Sequence, residues 1–181
     1  MPSDAELIAN FNKIKDHKVL EIIYLVLATS GIRYVECLDF LKNYDINKFA
    51  INPNHVSYSV AHFRNTKSIN NIYLPLFVYK KLIHVNSSYD LLRMRLIRKD
   101  ITISLKYLRK WNYNFLLYNN VPESVADFIQ GRVSKSVSAN HYLAKSQQAS
   151  FWYGKIASKF INIFKHNNKF GKNLKQIQEK V

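Results

Sequence analysis

The chain has 181 residues, of which 48% are hydrophobic, and this is enough to bury the core of one domain. Its 27 Lys and Arg residues against 12 acidic residues give a formal charge of +15, which favours a polyanionic partner such as nucleic acid. A single cysteine, Cys37, excludes a disulfide framework and favours an intracellular setting. No apolar run reaches the roughly 18 residues of a membrane span, and the first residues do not have the pattern of a signal peptide.

The amino-terminal third of the chain predicts two helices and the start of a third. Ser-Asp-Ala-Glu at residues 3–6 is a capping box that opens the first helix. The second, from about His17, is apolar on nearly all sides, which indicates a buried central helix ending at Gly31. Arg33 and Glu36 follow at the i,i+3 spacing that places two side chains on one helical face.

A small antiparallel sheet is predicted next, between Lys48 and Leu76. A short strand fits Lys48 to Ile51, alternating residues predict a second strand at His55 to Phe63, and Ile72 to Leu76 reads as the returning strand. Lys67 then lies at or near the tip of a hairpin.

The rest of the chain predicts helices joined by short breaks. They are expected at Leu76–His84, Tyr89–Ile97, Ile101–Asn119, Pro122–Ile129 and Ser150–Phe164. Lys106 and Arg109 lie three residues apart in the third of these, so they share a face that suits one phosphate. Gln130 and Gly131 stop the fourth, directly before Arg132, and Tyr142 follows in a run rich in Ser and Lys. The predicted class is therefore α+β, mostly α.

Three stretches of the first half resemble motifs of the tyrosine recombinases, the phage-integrase family. Thr29 to Glu36 is similar to that family's Thr-Gly-Leu-Arg-x-x-Glu box. Thr66-Lys67 resembles its hairpin lysine, and Tyr73-Leu74-Pro75 resembles the strand ending in proline. The order and approximate spacing of the motifs agree with the family over Leu20 to Leu143.

The second half continues the resemblance with two departures. Lys106-Tyr107-Leu108-Arg109 occupies the place of the family's His-x-x-Arg box, so a lysine stands where histidine is usual. Gln130-Gly131-Arg132 stands where Gly-His is usual, and Tyr142 falls at the place of the nucleophile. A Lys-x-x-Arg box makes the integrases of spindle-shaped archaeal viruses, the fusellovirus type, the nearest match.

The resemblance implies a site-specific DNA recombinase, a viral integrase that inserts viral DNA into the host chromosome through a 3′-phosphotyrosyl intermediate. Cations stabilise the charge that develops on the phosphate during attack, and the planar fork of arginine binds two oxygens at once. The implied site consists of Arg33, Lys67, Lys106, Arg109, Arg132 and Tyr142, with Glu36 orienting Arg33. Tyr142 is the nucleophile and Lys67 the proton donor to the leaving 5′ oxygen, and neither ATP, a metal nor another cofactor is required.

The resemblance also implies how the chain is organised. Residues 1–148 are expected to form a tyrosine-recombinase catalytic domain with a small three-stranded antiparallel sheet. Residues 149–181 are expected to form a carboxy-terminal helix and basic tail that packs on a neighbouring subunit. A homotetramer on paired double-stranded DNA attachment sites inside the host cell is implied, without a membrane or a small-molecule ligand.

Several alternatives stay open at this point. A basic nucleic-acid-binding module without chemistry fits the charge, and a relaxase like a type IB topoisomerase fits the tyrosine chemistry. Tyr153 is the rival nucleophile, although its amphipathic surroundings favour core packing. Arg64 competes with Lys67 as a DNA contact, and attack by Tyr142 in cis or in trans is equally compatible with the sequence.

Overall fold

A computed structural model describes residues 2–60, 69–88, 94–95, 98–99, 101, 104–132 and 139–166, while the side chains of residues 139–143 are not described. The helices are α1 (Asp4–Ile14), α2 (Lys18–Ser30), α3 (Tyr34–Asn43), α4 (Leu76–Tyr79), α5 (Leu105–Tyr118), α6 (Glu123–Ile129) and α7 (Ala139–Ile161), the last followed by a π-helical turn (Asn162–His166). The strands are β1 (Phe49–Ile51), β2 (His55–Ser59) and β3 (Asn71–Pro75), after a 3₁₀ turn (Ile46–Lys48). This part of the chain is mostly helical with one small sheet, as the predicted α+β class requires.

Helix α2 is the centre of the fold. Leu20 and every residue from Ile22 to Ser30 are buried, in agreement with its predicted all-round apolar surface. The helix ends at Gly31, which adopts the left-handed conformation (φ 67°) and donates its N–H to the Leu27 carbonyl. The capping box of α1 is also confirmed, because the Ser3 hydroxyl accepts the Glu6 N–H and Glu6 accepts the Ser3 N–H.

The sheet is antiparallel throughout, with β2 between β1 and β3. Phe49 pairs with Tyr58 in the first ladder, and Val56 pairs with Leu74 in the second. The three predicted strands are therefore confirmed, although β2 ends at Ser59. Lys67 lies outside the described residues.

Three predicted helix boundaries are wrong, the first being that the helix expected at Ile101–Asn119 begins at Leu105. The helix expected at Leu76–His84 ends at Tyr79, because the following residues pack against α3 instead: Val85 donates its N–H to the Leu41 carbonyl, and His84 stacks on the Tyr44 ring with centroids 4.2 Å apart. Tertiary contacts therefore override the local helical pattern there. Most of the helix predicted at Tyr89–Ile97 lies outside the described residues.

The carboxy-terminal helix starts much earlier than the predicted Ser150. Helix α7 begins at Ala139 and runs unbroken through residues 148 and 149, so the expected division of the chain falls inside it. Residues 144–150 are mostly polar and partly or fully exposed, so the sequence has no apolar periodicity there that would predict a helix. The packing of this region on a neighbouring subunit stays a prediction.

The second part of α7 belongs to this chain's own core. Tyr153 and Phe160 are fully buried, and Phe164 follows in the π-helical turn. The Phe160 ring lies 4.5 Å from that of Phe115, and the Phe164 ring lies 5.2 Å from that of Phe11, centroid to centroid. The helix is therefore fixed at its carboxy-terminal end against α5 and α1.

A buried histidine joins the sheet to α7. The His55 side chain is 3% exposed, and its Nε2 lies 2.9 Å from the Ser150 hydroxyl. Its other ring nitrogen, Nδ1, has no hydrogen-bond partner among the described residues. Burial lowers the pKa of His55 to about 4, so the ring is neutral at neutral pH.

Candidate active site

Arg33 is the N-cap residue that precedes α3, directly after the turn at Gly31 and Ile32. Its backbone N–H donates to Glu36 Oε2 over 2.8 Å, and its guanidinium NH1 donates to Glu36 Oε1 over 2.6 Å. One carboxylate thus caps the helix and holds the arginine side chain. About a third of the Arg33 side chain is exposed (32%), so the guanidinium is both oriented and accessible.

Arg109 lies on α5 and reaches back to the end of α2. Its NH1 donates to the Gly31 carbonyl over 2.7 Å, and its NH2 donates to the Gln130 carbonyl over 2.8 Å. Burial and the nearby charge of Arg33 lower the pKa of Arg109 to about 10, which still leaves it protonated at neutral pH. A guanidinium carries five N–H donors. Two of these orient the group, and the rest of the fork is suited to an anion.

Arg132 follows the break after α6. Gly131 is left-handed (φ 61°), and the Arg132 N–H donates to the Asp127 carbonyl over 2.8 Å. The guanidinium carbon lies 3.9 Å from the centroid of the Tyr113 ring, a stacked cation–π contact. The Tyr113 hydroxyl donates to Glu123 at 3.3 Å, and burial together with the nearby Asp127 carboxylate raises the pKa of Tyr113 to about 12.

These three arginines form one group, here called the arginine cluster (Arg33, Arg109 and Arg132). The charges of Arg33 and Arg132 both act to lower the pKa of Arg109, whereas those of Glu36 and Asp127 act to raise it. Three chain segments therefore bring three cations and two carboxylates within electrostatic range of one another. Positive charge is in excess, and the arrangement favours an anion such as a phosphate.

Of the remaining predicted site residues, Lys106 is the one whose side chain the structure describes. Lys106 lies three residues before Arg109 on α5, but its amine lies 5.2 Å from the centroid of the Tyr107 ring and its side chain is exposed. Lys67 lies outside the described residues. Tyr142 lies in the first turn of α7, but its side chain is not among those described.

The helix that carries Tyr142 is attached to β3 of the same chain within about one turn of that residue. Ser146 accepts a hydrogen bond at its hydroxyl from the Asn71 amide over 2.9 Å. The Ser146 carbonyl accepts another from the Tyr73 hydroxyl over 3.3 Å. The backbone at the start of α7 is thus held against the edge of the sheet.

A family model described as archaeal phage integrase matches residues 1–159. The chain belongs to the archaeal phage integrase family. The resemblance to integrases that the sequence motifs indicate is therefore confirmed, and an integrase family implies DNA as a partner. A search of curated proteins gave no match.

The rival tyrosine of this integrase is unavailable for chemistry on DNA. Tyr153 is fully buried, and its hydroxyl donates to the Thr29 carbonyl over 3.0 Å. Burial raises the pKa of Tyr153 well above that of a free tyrosine. A group that is enclosed, bonded and hard to ionise cannot attack a phosphate, which leaves Tyr153 with a packing role.

Sequence reasoning missed two buried amides of the integrase beside Arg109. Asn112 and Gln130 are both completely buried and bonded to each other, with Gln130 Nε2 donating to Asn112 Oδ1 over 2.9 Å. A signal for Asn112 was available, since it lies between Leu108 and Leu116 on the apolar face of α5, where a polar residue needs a buried partner. Gln130 carried no comparable signal.

Within the described part of the integrase, no group of three or more His, Cys, Asp or Glu residues is placed to hold a metal ion. No helix of that part is long and apolar enough to span a bilayer.

Proposed function

We propose that this chain is a tyrosine-recombinase catalytic domain, a viral integrase that cleaves and rejoins double-stranded DNA with Tyr142 as its nucleophile. The proposal includes the tyrosine-recombinase fold for residues 1–148 and a covalent 3′-phosphotyrosyl intermediate. It places the reaction inside the host cell, where viral DNA is joined to the chromosome.

The observation that carries the proposal is the arginine cluster. Attack on a phosphodiester adds negative charge to the two non-bridging oxygens, and preorganised cations lower the barrier to that step. Arg109 is preorganised because two backbone carbonyls hold its fork, and Arg33 because Glu36 holds it from one side. Such groups need little rearrangement when the transition state forms, and each is expected to be worth several kcal/mol, about 3, in the barrier.

Tyr142 supplies the bond-forming step in this proposal. A tyrosine hydroxyl with a pKa near 10 is a weak nucleophile at neutral pH, and nearby cations favour its anion. The oxygen of Tyr142 forms a bond to phosphorus while the bond to the 5′ oxygen breaks. Lys67 protonates that oxygen as it leaves, and Arg132 and Lys106 complete the pocket as phosphate ligands or as aids to proton transfer.

The second half of the reaction reverses the first. A 5′ hydroxyl from another strand attacks the phosphotyrosine, Tyr142 leaves, and a new phosphodiester forms. The energy of the broken bond is kept in the protein–DNA linkage, so the scheme calls for no nucleotide cofactor. Exchange between two duplexes needs four active sites, which is the reason for proposing a homotetramer on paired sites.

The test is covalent trapping on nicked DNA. A pool of nicked duplexes, randomised around the nick, is incubated with the wild-type protein, and adducts are separated on denaturing gels and sequenced. We expect an adduct with the wild type and with Tyr153→Phe, and none with Tyr142→Phe. An adduct that survives Tyr142→Phe would show that the nucleophile is another residue.

Three further outcomes discriminate between functions. Binding of the pool without any adduct in the wild type would favour a non-catalytic nucleic-acid-binding module. An adduct accompanied by relaxation of supercoiled plasmid, but by no exchange between two copies of the recovered sequence, would favour a relaxase. Exchange between two such copies supports the integrase.

A further inference from the structure

We propose that Gln130 and Asn112 are positioning residues that hold the guanidinium of Arg109 in the orientation it needs for the phosphate. The inference rests on the proposed function, in which Arg109 contacts the reacting group. Neither amide is exposed, so both act through Arg109 rather than on DNA.

The two side-chain amides use all their N–H donors in one connected network. Gln130 Nε2 donates to the Arg109 carbonyl and to Asn112 Oδ1, both over 2.9 Å. Asn112 Nδ2 donates to the carbonyls of Ala28 and Thr29, over 2.9 and 3.0 Å. Rotating either amide by half a turn would set oxygen against oxygen, so the network has a single orientation.

Arg109 and Gln130 hold each other in a closed loop. The Gln130 side chain donates to the Arg109 backbone, and the Arg109 side chain donates to the Gln130 backbone. The loop joins α5 to the end of α6, just before Gly131 and Arg132. The position of the Arg109 guanidinium is thereby tied to the segment that carries Arg132.

A second loop joins α5 to the end of α2. Arg109 donates to the Gly31 carbonyl, while Asn112, one turn further along α5, donates to the Ala28 and Thr29 carbonyls. The Gly31 turn leads directly to Arg33. Both loops close on Arg109, and together they fix its position relative to the other two members of the arginine cluster.

One atom of the network is energetically unfavourable, so the network is not explained by its contribution to stability alone. Gln130 Oε1 is buried with no hydrogen-bond partner among the described residues, and an unpaired buried acceptor is unfavourable. An apolar side chain of the same length would remove that acceptor. The amide is retained, on this reasoning, because its N–H groups direct Arg109.

The experiment compares the wild-type protein and two test variants with one matched control variant. Gln130→Met keeps the length of the side chain and removes its donors, and Asn112→Leu does the same at the second amide. The control is Asn10→Leu, which removes another buried amide; Asn10 lies in α1 and donates to the Glu6 carbonyl of its own helix. Gln130→Leu, which is shorter and also lacks the donors, is a second variant at that position in case Gln130→Met does not fold.

Two readouts separate positioning from folding. The first is single-turnover cleavage of a nicked duplex at saturating protein, together with the Kd for an intact duplex. We expect the cleavage rate to fall between about tenfold and a hundredfold in Gln130→Met and Asn112→Leu, because small displacements of a catalytic group have effects of that size. The Kd is expected to stay at the wild-type value, and Asn10→Leu is expected to cleave as the wild type does.

The second readout needs no catalysis. The guanidinium N–H signals of Arg109, assigned with Arg109→Lys, are followed by nitrogen-15 NMR in free protein. Fixed hydrogen bonds keep the N–H groups distinct and slow to exchange, and we expect Gln130→Met to merge them or speed their exchange. The inference would be overturned if Gln130→Met kept both the wild-type Arg109 signals and the wild-type cleavage rate. It would also be overturned if Asn112→Leu and Asn10→Leu lost the same amount of cleavage rate. If Gln130→Met alters the Arg109 signals but the wild type forms no covalent adduct, the positioning role is upheld and the proposed chemistry is refuted.

Discussion

The contact between His55 and α7 leads to a quantitative prediction about stability in mild acid. The ring is enclosed by the sheet and the helix, with the rings of Tyr73 and Tyr153 at 6.2 and 5.5 Å between centroids and the Ser150 hydroxyl at 2.9 Å. Protonation would place a charge where the described residues provide no acceptor for Nδ1. The folded state therefore resists a proton that the unfolded chain takes up readily.

The size of the effect follows from the two pKa values. Burial lowers the pKa of folded His55 to about 4, whereas an unfolded histidine titrates near 6.5. Between these values the unfolded state binds more protons, so the stability that neutral His55 contributes is complete above about pH 6.5 and is lost as the pH falls towards 4. From pH 7 to pH 5 we expect a loss of about 2 kcal/mol in the free energy of unfolding.

Urea unfolding of the wild type and of His55→Gln at pH 7 and pH 5 measures this loss. Glutamine can still bond to Ser150 but does not titrate. Other histidines and carboxylates are present in both proteins, so the difference between their pH responses isolates His55. If His55→Gln loses as much stability as the wild type between the two pH values, the buried histidine is not the cause.

Three further predictions follow. Gly31→Ala should lower the free energy of unfolding by about 2–4 kcal/mol, because a left-handed alanine is strained and its Cβ meets two buried amides. The control, Gly154→Ala in mid-helix, should change that free energy by less than about 1 kcal/mol. Equal losses for the two variants in urea unfolding would contradict this prediction. Tyr153→Phe removes a single hydrogen bond to Thr29, so it should cost about 1 kcal/mol and leave the yield of covalent adduct unchanged; a missing adduct would restore Tyr153 as a nucleophile. DNA affinity should fall with salt with a log–log slope of several units, since phosphate contacts dominate for a chain of charge +15, and a flat titration would count against a phosphate-binding surface.

The features that the sequence predicted well are those that depend on neighbouring residues. The capping box at Ser3, the stop at Gly31 and the pairing of Arg33 with Glu36 each involve residues at most four apart, and their geometry follows from helix-terminus rules. The family motifs then indicated that Arg109 belongs near Arg33. Local rules and a known order of motifs were sufficient for that part of the candidate site.

Other features depend on contacts between distant segments. Arg109 bonds to a carbonyl 78 residues away, and Asn112 bonds to carbonyls 84 and 83 residues away. Neither the apolar pattern nor the motifs specify which backbone groups a buried side chain will meet. The stacking of Arg132 on Tyr113 was missed for the same reason.

The absence of a side chain at Gly31 links residue choices at three positions that are far apart in the chain. A Cβ at Gly31 would lie 2.3 Å from Asn112 Oδ1 and 2.5 Å from Gln130 Nε2, so both amides depend on the absence of a side chain there. Over evolutionary time, a change at any of the three positions should therefore be accompanied by changes at the others. In relatives that carry a side chain in place of Gly31, the two amides should be replaced by smaller residues, and Arg109 should be held in another way.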